Sequence, residues 1–180
     1  MPKPQELLSA AQEISSELVA LRRLLHENPE FALNLPVTQK ILLERLEGLG
    51  EISLGKALTS IALVIKGGKP GPTVLLRADM DALHVTEETN LPFASKNGHM
   101  HACGHDLHMA SAVGAARLLF ESKQDLAGDV LIWFQPGEEG HHGADIMIEE
   151  GMLDLTGSRP VVAYGLHVFT SLPVGMIACK

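Results

Sequence analysis

The sequence predicts an α/β fold in which a mostly parallel sheet is flanked by helices. Three observations support this prediction: leucines at helical spacing in the first fifty residues, a later alternation of short apolar runs with helix-like segments, and polar clusters directly after the apolar runs. Alternating strands and helices favour parallel strands joined by right-handed crossovers. The 180 residues suffice for one domain with a sizeable core, so we expect a single unit, residues 1–180.

The amino-terminal part is predicted to be helical. Apolar residues recur at helical spacing at Leu7, Leu8, Ala11, Ile14, Leu18, Leu21, Leu24 and Leu25. Asn28 and Pro29 end this first helix. A second helix begins at Pro36, which suits a first helical turn, and ends at the glycines Gly48 and Gly50.

Two short apolar runs follow the helices. Residues 59–65 read "TSIALVI" and residues 72–79 read "PTVLLRAD", with the glycine-proline cluster "KGGKPGP" between them. Two strands separated by such a turn cluster are predicted to form a β-hairpin. A polar, aperiodic stretch then continues to about Asp106, and irregular segments of this length are often functional.

The remaining chain alternates again between helix and strand patterns. Residues 107–120 suit a tightly packed helix, 128–136 a buried strand, 137–151 a turn entering a helix, and 160–168 a further strand. Asp79, the Glu138–Glu139 pair and His167 each stand at the carboxyl end of a predicted strand. Ligand-binding crevices of open α/β sheets form at these ends, so we expect these side chains along one edge.

Composition excludes several classes of function. The net charge of −8 leaves no basic surface for nucleic acid or anionic membranes. The first residues lack the apolar core of a secretory signal, and no apolar run approaches the ~20 residues of a membrane span. One of the two cysteines lies inside a histidine cluster, and two cysteines are a poor disulfide scaffold. We therefore expect a reduced, cytoplasmic protein.

The histidine cluster is the strongest chemical signal. Residues 99–110, "HMHACGHDLHMA", hold four histidines, a cysteine and an aspartate. Cys103 and His105 form a C-x-H pair, and Gly104 lets the backbone turn so that both side chains can face one centre. Thiolate and imidazole are good ligands for zinc and neighbouring divalent metals. The alternative is a polar loop with a buried thiol.

Other strand-end residues allow a similar choice between a functional and a structural interpretation. Of the Glu138–Glu139 pair, one carboxylate can bind a metal while the other moves protons, or both can form a solvated acidic turn. His167 is either a ligand or a hydrogen-bonded core residue. Asp79 and Asp81 lie on one side of an extended segment, where they can bind metal, orient a ligand histidine or cap the loop.

Several motifs together resemble a known family. "LRADMDAL", "TNLPFAS", "GHMHACGHDLHMA", "FQPGEEGHHGA" and "YGLHV" followed by "LPVG" occur in the same order and at similar spacing in the aminoacylase/carboxypeptidase superfamily of metallopeptidases. They most resemble its amidohydrolase branch of hippurate hydrolases, indole-acetyl-amino-acid hydrolases and N-acetyldiaminopimelate deacetylases. The resemblance extends from about Leu21 onward and implies the N-terminal part of a zinc-peptidase-like catalytic domain, with the lid (dimerisation) domain absent.

The resemblance also implies a chemistry: metal-dependent hydrolysis of N-acyl amino acids with two divalent ions (Zn, Mn, Ni or Co). By matching motif positions, the metal ligands are expected to be Cys103, His105, Glu139 and His167. Glu138 is expected to be the general acid/base that activates the water. Asp81, Asp106 and His108 are expected to support the cluster.

The sequence departs from the family pattern in two ways. His84 stands where the family usually has proline, and we expect it to be a surface substitution rather than a ligand. Family members also continue past "LPVG" with the lid and the rest of the catalytic domain. We therefore expect activity to require a second chain or self-association, with a catalytically inactive, truncated metal-binding protein as the alternative. A cysteine hydrolase with Cys103 as nucleophile is a further alternative, but it leaves Glu138, Glu139 and His167 without a role.

Overall fold

A computed structural model describes residues 2–179, so the predicted unit 1–180 is described except for Met1 and Lys180. In chain order the elements are α1 (Pro4–Glu13), α2 (Ser15–Glu27), α3 (Pro36–Leu46), β1 (Glu51–Leu54), β2 (Ile61–Ile65), β3 (Val74–Asp79), α4 (His105–Glu121), β4 (Val130–Gln135), α5 (Gly143–Glu149) and β5 (Val162–Gly165). A short 3₁₀ helix, Lys123–Asp125, follows α4. The strands form one five-stranded sheet in the order β1-β2-β4-β3-β5.

The predicted α/β fold is confirmed. Strands β4, β3 and β5 are adjacent and mutually parallel, while β2 runs antiparallel to β4 and β1 antiparallel to β2. The parallel strands are those followed by the polar clusters, as the alternation of elements predicts. The antiparallel edge strand β1 is an addition that the sequence pattern did not indicate.

The predicted hairpin between residues 59–65 and 72–79 is wrong. Strands β2 and β3 both pair with β4, which lies between them, so they do not pair with each other. The glycine-proline segment between them crosses the end of β4, where Lys69 bridges to Ala127 and Gly128 N–H donates to the Lys69 carbonyl. The glycines and prolines therefore correctly predicted a loop between β2 and β3. They did not indicate that β4 lies between these two strands in the sheet.

The helical predictions are confirmed with one refinement. The first predicted helix is two helices, α1 and α2, which meet at Ile14. Helices α3 and α4 form where the spacing predicts them. No helix among residues 2–179 combines the length and the apolar character that a bilayer-spanning helix needs.

The sheet is covered on both faces, which makes three layers. Alternate residues of the central strands point to opposite sides. On one face, Leu63, Ile132 and Phe134 pack in a cluster with α2, α3 and α4. On the other face, Leu131 and Trp133 pack with Met147 of α5. All six residues of β4 are buried, as expected for a strand at the centre of a sheet covered on both sides.

The core packing generates a stability prediction. Leu42 of α3 is fully buried, whereas Leu8 of α1 is 60% exposed. We expect Leu42→Ala to lower the free energy of unfolding by about 2–5 kcal/mol, because it removes packed atoms and leaves a cavity. The matched change Leu8→Ala is expected to cost about 0.5 kcal/mol or less. Urea unfolding followed by circular dichroism measures both, and equal losses would contradict the core assignment.

Candidate metal centre

Three chain segments bring five potential ligand side chains together at the carboxyl edge of the parallel strands. Cys103 and His105 lie at the start of α4, Glu138 and Glu139 follow β4, and His167 follows β5. Ligand atoms lie within 4.8 Å of one another in the group Cys103, His105 and His167, and likewise in the group His105, Glu138 and Glu139. A third such group is Asp79, His105 and His108. His105 belongs to all three groups and is therefore the centre of the arrangement.

His105 is held with one ring nitrogen aimed at the carboxylates. Its Nδ1 lies 2.7 Å from the backbone carbonyl of Asp81, which can only accept, so Nδ1–H is the donor. Its buried Nε2 has no hydrogen-bond partner among the described residues and lies 3.8 Å from Glu138 Oε2 and 3.9 Å from Glu139 Oε1. Asp79 Oδ2 lies 3.7 Å from the same nitrogen, so Nε2 is placed where a proton or a cation can bind between the imidazole and the carboxylates.

His167 is oriented in the same way. Its Nδ1 donates to the backbone carbonyl of Val168 at 2.7 Å, and its Nε2 lies 3.3 Å from Cys103 Sγ. Gly104 makes this approach possible, because its φ of +86° is in the left-handed region and a Cβ there would lie 2.4 Å from Val168 Cγ2. The expectation that Gly104 turns the backbone between Cys103 and His105 is confirmed.

Asp81 joins the segments that carry the site. Its carboxylate accepts the backbone N–H of Glu138 at Oδ1 and that of Glu139 at Oδ2, each at 3.0 Å. Together with the bond from His105 to its carbonyl, this connects the end of β3 to the turn after β4 and to the start of α4. Asp81 therefore fixes the backbone positions of both glutamates relative to His105.

A second set of buried contacts positions His167. The Asp79 carboxylate accepts from Arg77 Nη1 at 2.7 Å through Oδ2 and from His108 Nδ1 at 2.6 Å through Oδ1. The other nitrogen of His108 accepts the Val168 backbone N–H at 3.1 Å. Both nitrogens of His108 are thus occupied, so His108 orients the segment of His167 rather than offering a free ligand atom.

Negative charge dominates the electrostatics of the centre. Burial, together with the neighbouring Glu139 and Glu138 carboxylates, raises the pKa of the Cys103 thiol to about 11. Burial lowers the pKa of His105, but the Asp81 and Asp79 carboxylates outweigh burial and raise that pKa above its ordinary value. Both effects are those of a site that attracts positive charge, either protons or a cation.

Of the predicted supporting residues, Asp106 is not brought to the cluster. Its buried carboxylate binds His26 Nδ1 at 2.6 Å and Arg22 Nε at 2.8 Å, both on α2. The other nitrogen of His26 lies 3.2 Å from Glu87 Oε1. Asp106 points away from Cys103 and His105 because it lies on the face of α4 that packs against α2, so it connects these two helices instead.

Sequence reasoning did not identify all the residues that organise the centre. The sequence offers Asp79 as a metal ligand, as a residue that orients a ligand histidine or as a loop cap, but it does not indicate the partner Arg77. The available signal was the pattern "RAD" at the end of a buried strand, where a buried aspartate needs a cationic or hydrogen-bonding partner. The partner His108 could not be named from the sequence, because it is 29 positions away.

Comparisons with known proteins identify the family to which the chain is similar. Residues 75–180 match Peptidase family M20/M25/M40. The chain is 41% identical over 181 residues to thermostable carboxypeptidase 2 of Saccharolobus solfataricus and 42% identical over 168 residues to N-acetyldiaminopimelate deacetylase of Listeria innocua. These alignments cover 98% and 92% of this chain but 45% and 44% of the relatives. The chain thus spans less than half the length of these relatives.

A solved structure shows the same fold. A Bacillus subtilis protein, described as a dinuclear metal-binding peptidase of the M20 family, superposes with a TM-score of 0.87 at 41% identity. The match covers 94% of this chain and 47% of that structure. The mixed five-stranded sheet flanked by helices is therefore the fold of the corresponding part of that protein.

The contacts of Asp81 generate a prediction for the metal-free protein. Burial raises the pKa of Asp81, but the His105 imidazole 3.7 Å from its carboxylate and the hydrogen bonds from the Glu138 and Glu139 backbones outweigh burial and lower that pKa below its usual value. We expect Asp81→Asn to lower the free energy of unfolding by about 1.5–3 kcal/mol at neutral pH, because two N–H donors lose a charged acceptor.

The loss of stability in Asp81→Asn is expected to depend on pH. The stabilising effect of the carboxylate is present above its unfolded pKa of about 3.9 and is lost as the pH falls through the lower folded pKa. The difference in the free energy of unfolding between wild type and Asp81→Asn should therefore become smaller below about pH 4. Asp145→Asn, an exposed control with a side chain 71% accessible, should show little effect at any pH. Urea unfolding from pH 3 to 7 in a chelator measures this, and a difference independent of pH would contradict it.

Proposed function

The chain belongs to Peptidase family M20/M25/M40, and from this membership we propose that it carries the metal-binding part of a hydrolase that cleaves the amide bond of N-acyl amino acids. The observation that carries the proposal is the convergence of a thiol, two imidazoles and two carboxylates from three loops. We propose that residues 1–180 are the N-terminal portion of the catalytic domain. The substrate class follows from relatives that are named as a carboxypeptidase and a deacetylase.

The residues present fit divalent cations. The buried Nε2 of His105 has no partner among residues 2–179, and a buried imidazole nitrogen in that position is costly without one. Zinc bond lengths of about 2.3 Å to sulfur and about 2.0–2.1 Å to nitrogen place two tetrahedral ligand atoms about 3.6 Å apart. The 3.3 Å between Cys103 Sγ and His167 Nε2 is close to this separation. Donation of both Nδ1–H groups to carbonyls is also typical of ligand histidines.

We assign Cys103, His105, Glu139 and His167 as ligands. Two divalent ions per complete site are proposed because the Bacillus subtilis relative is described as dinuclear. Mixed sulfur, nitrogen and carboxylate donors suit zinc, and manganese, nickel or cobalt are the other candidates. Asp81 and His108 are proposed as the residues that orient these ligands, through the contacts to Glu138, Glu139 and Val168.

Glu138 is proposed as the general base. Its carboxylate is 40% exposed, so it faces solvent while its backbone is fixed by Asp81. It accepts a proton from the attacking water and delivers that proton to the departing amine nitrogen. When bound, the cations would polarise the amide carbonyl and stabilise the negative charge that develops on its oxygen.

The cysteine-nucleophile alternative is less well supported. Burial and the neighbouring Glu139 and Glu138 carboxylates raise the pKa of the Cys103 thiol to about 11. A thiolate at this position therefore needs a bound cation, which fits a metal ligand better than a metal-free nucleophile. The metal-ligand role also explains Glu139 and His167, which a cysteine mechanism leaves unused.

We also propose a reducing, cytoplasmic location for the protein. Cys103 and Cys179 are both free thiols, which supports this proposal.

We propose that further polypeptide covers one side of this chain, supplied by a second chain or by self-association. Among residues 2–179, strand β5 pairs with β3 on one side only, and apolar side chains near it in sequence are exposed: Val161 69%, Tyr164 59%, Leu166 71%, Phe169 61% and Ile177 83%. An apolar surface of this kind marks a contact.

The ligand assignment predicts the metal content of variants. Cys103→Ser and Glu139→Ala are expected to lower the bound metal per chain after equilibrium dialysis, because each removes a proposed ligand. Glu138→Gln should retain the metal, and Glu149→Gln, a change on the exposed part of α5, serves as the control. Unchanged metal content in both ligand variants would contradict the assignment.

The base assignment predicts a separate loss of activity. Glu138→Gln is expected to lower hydrolysis of N-acetyl and N-benzoyl amino acids about 10²–10⁴-fold, because it removes the proton-accepting group. The assay uses the metal-loaded chain alone and mixed with the remaining part of the Listeria innocua deacetylase. Hydrolysis that persists undiminished in the variant contradicts the role of Glu138. Metal binding without hydrolysis in either preparation would indicate a non-catalytic metal-binding protein.

A further inference from the structure

A second pair of histidines faces each other outside the candidate metal centre. Leu83 and Met100 exchange two backbone hydrogen bonds of 3.0 Å, which makes a short antiparallel pair within the long loop before α4. His84 and His99 are the next opposing positions, where side chains of antiparallel segments approach most closely. Their Nδ1 atoms lie 3.3 Å apart. His84 is exposed, as expected for a surface substitution, but its side chain contacts that of His99.

The separation of these two nitrogens matches that of two ligands on one cation. Bonds of about 2.0–2.1 Å at a tetrahedral angle place two imidazole nitrogens about 3.3–3.4 Å apart. In the metal-free pair one nitrogen donates a hydrogen bond to the other. A cation can replace that single proton with little movement of either ring.

An aromatic side chain holds the pair in place. Phe31, which is 39% exposed, stacks on His99 with ring centroids 5.8 Å apart and planes within 5°. The same ring contacts His84 edge-on at 6.0 Å. Both imidazoles are therefore ordered before a ligand arrives, which lowers the entropic cost of binding.

We propose that His84 and His99 bind one divalent ion of the zinc, copper or nickel type through their Nδ1 atoms, with water completing the coordination. Imidazole is a favoured ligand of these metals. The ion joins the two ends of the loop 84–99, which carries Glu87, the partner of His26. An ion that binds this pair in the folded protein but not in the unfolded chain stabilises the fold. The proposal uses none of the residues assigned to the candidate metal centre and does not depend on the proposed function.

Equilibrium dialysis against zinc tests the site. We expect His84→Ala and His99→Ala each to bind one zinc fewer per chain than wild type, with the double variant binding no less than either single one. His142→Ala is the matched control, because His142 is an exposed histidine, 81% accessible, that contacts Asp145 instead. Unchanged zinc content in both single variants overturns the proposal, and so does an equal loss in His142→Ala.

A second measurement separates this pair from the candidate metal centre. In a Cys103→Ser, Glu139→Ala background, zinc is expected to shift the ring-nitrogen NMR signals of His84 and His99 and to raise the melting temperature. Adding His84→Ala to that background should remove the rise. Zinc that leaves both ring signals unmoved shows a histidine–histidine hydrogen bond only and overturns the proposal. Failure of the proposed function would appear instead as unchanged metal content in the Cys103 and Glu139 variants.

Discussion

The arrangement of the candidate metal centre depends on the contacts of Asp81. Its carboxylate accepts the backbone N–H groups of Glu138 and Glu139, while its own carbonyl accepts Nδ1–H of His105. These three bonds join segments that are 24 to 58 positions apart in sequence. A buried carboxylate is unfavourable without such donors. Asp81 can therefore be buried only when the backbone N–H groups of Glu138 and Glu139 point at its carboxylate, and that carboxylate in turn fixes the turn that carries them.

The sheet topology explains why these segments meet. Strands β4, β3 and β5 are adjacent and parallel, so the residues that follow them emerge at one edge. Asp79 pairs in register with Gln135, which places the loops after β3 and β4 side by side. Packing of α4 against the sheet brings His105 to the same edge. The antiparallel strands β1 and β2 widen the sheet without supplying a proposed ligand, and β2 also contributes to the core.

Much of this architecture could be predicted from the sequence, because helix spacing and strand-end polarity are local patterns. The α4 helix, the central strand β4 and the convergence of Cys103, His105 and the glutamates followed from such patterns. The insertion of β4 between β2 and β3 could not, since strand order depends on long-range packing that a turn motif does not encode. The placement of Asp106 failed for a similar reason: the face of α4 on which it lies is determined by contact with α2.

The long-range hydrogen bonds could not be predicted from the sequence either. The pairing of His108 with Asp79 requires knowledge of how α4 docks on β3. The pairing of His84 with His99 requires the register of a two-residue bridge inside an irregular loop. The spacing of motifs in the sequence indicates neither of these two pairings. The ligand roles of Cys103, His105, Glu139 and His167 remain proposals that coordination chemistry can test.

The most direct test of the central claim is zinc K-edge X-ray absorption of the zinc-loaded His84→Ala, His99→Ala double variant. We predict one sulfur neighbour at about 2.3 Å together with nitrogen and oxygen neighbours at about 2.0–2.2 Å, and loss of the sulfur contribution in the same protein carrying Cys103→Ser. A spectrum with nitrogen and oxygen neighbours alone, unaffected by that substitution, would contradict the proposal that Cys103 and its neighbours hold a common cation.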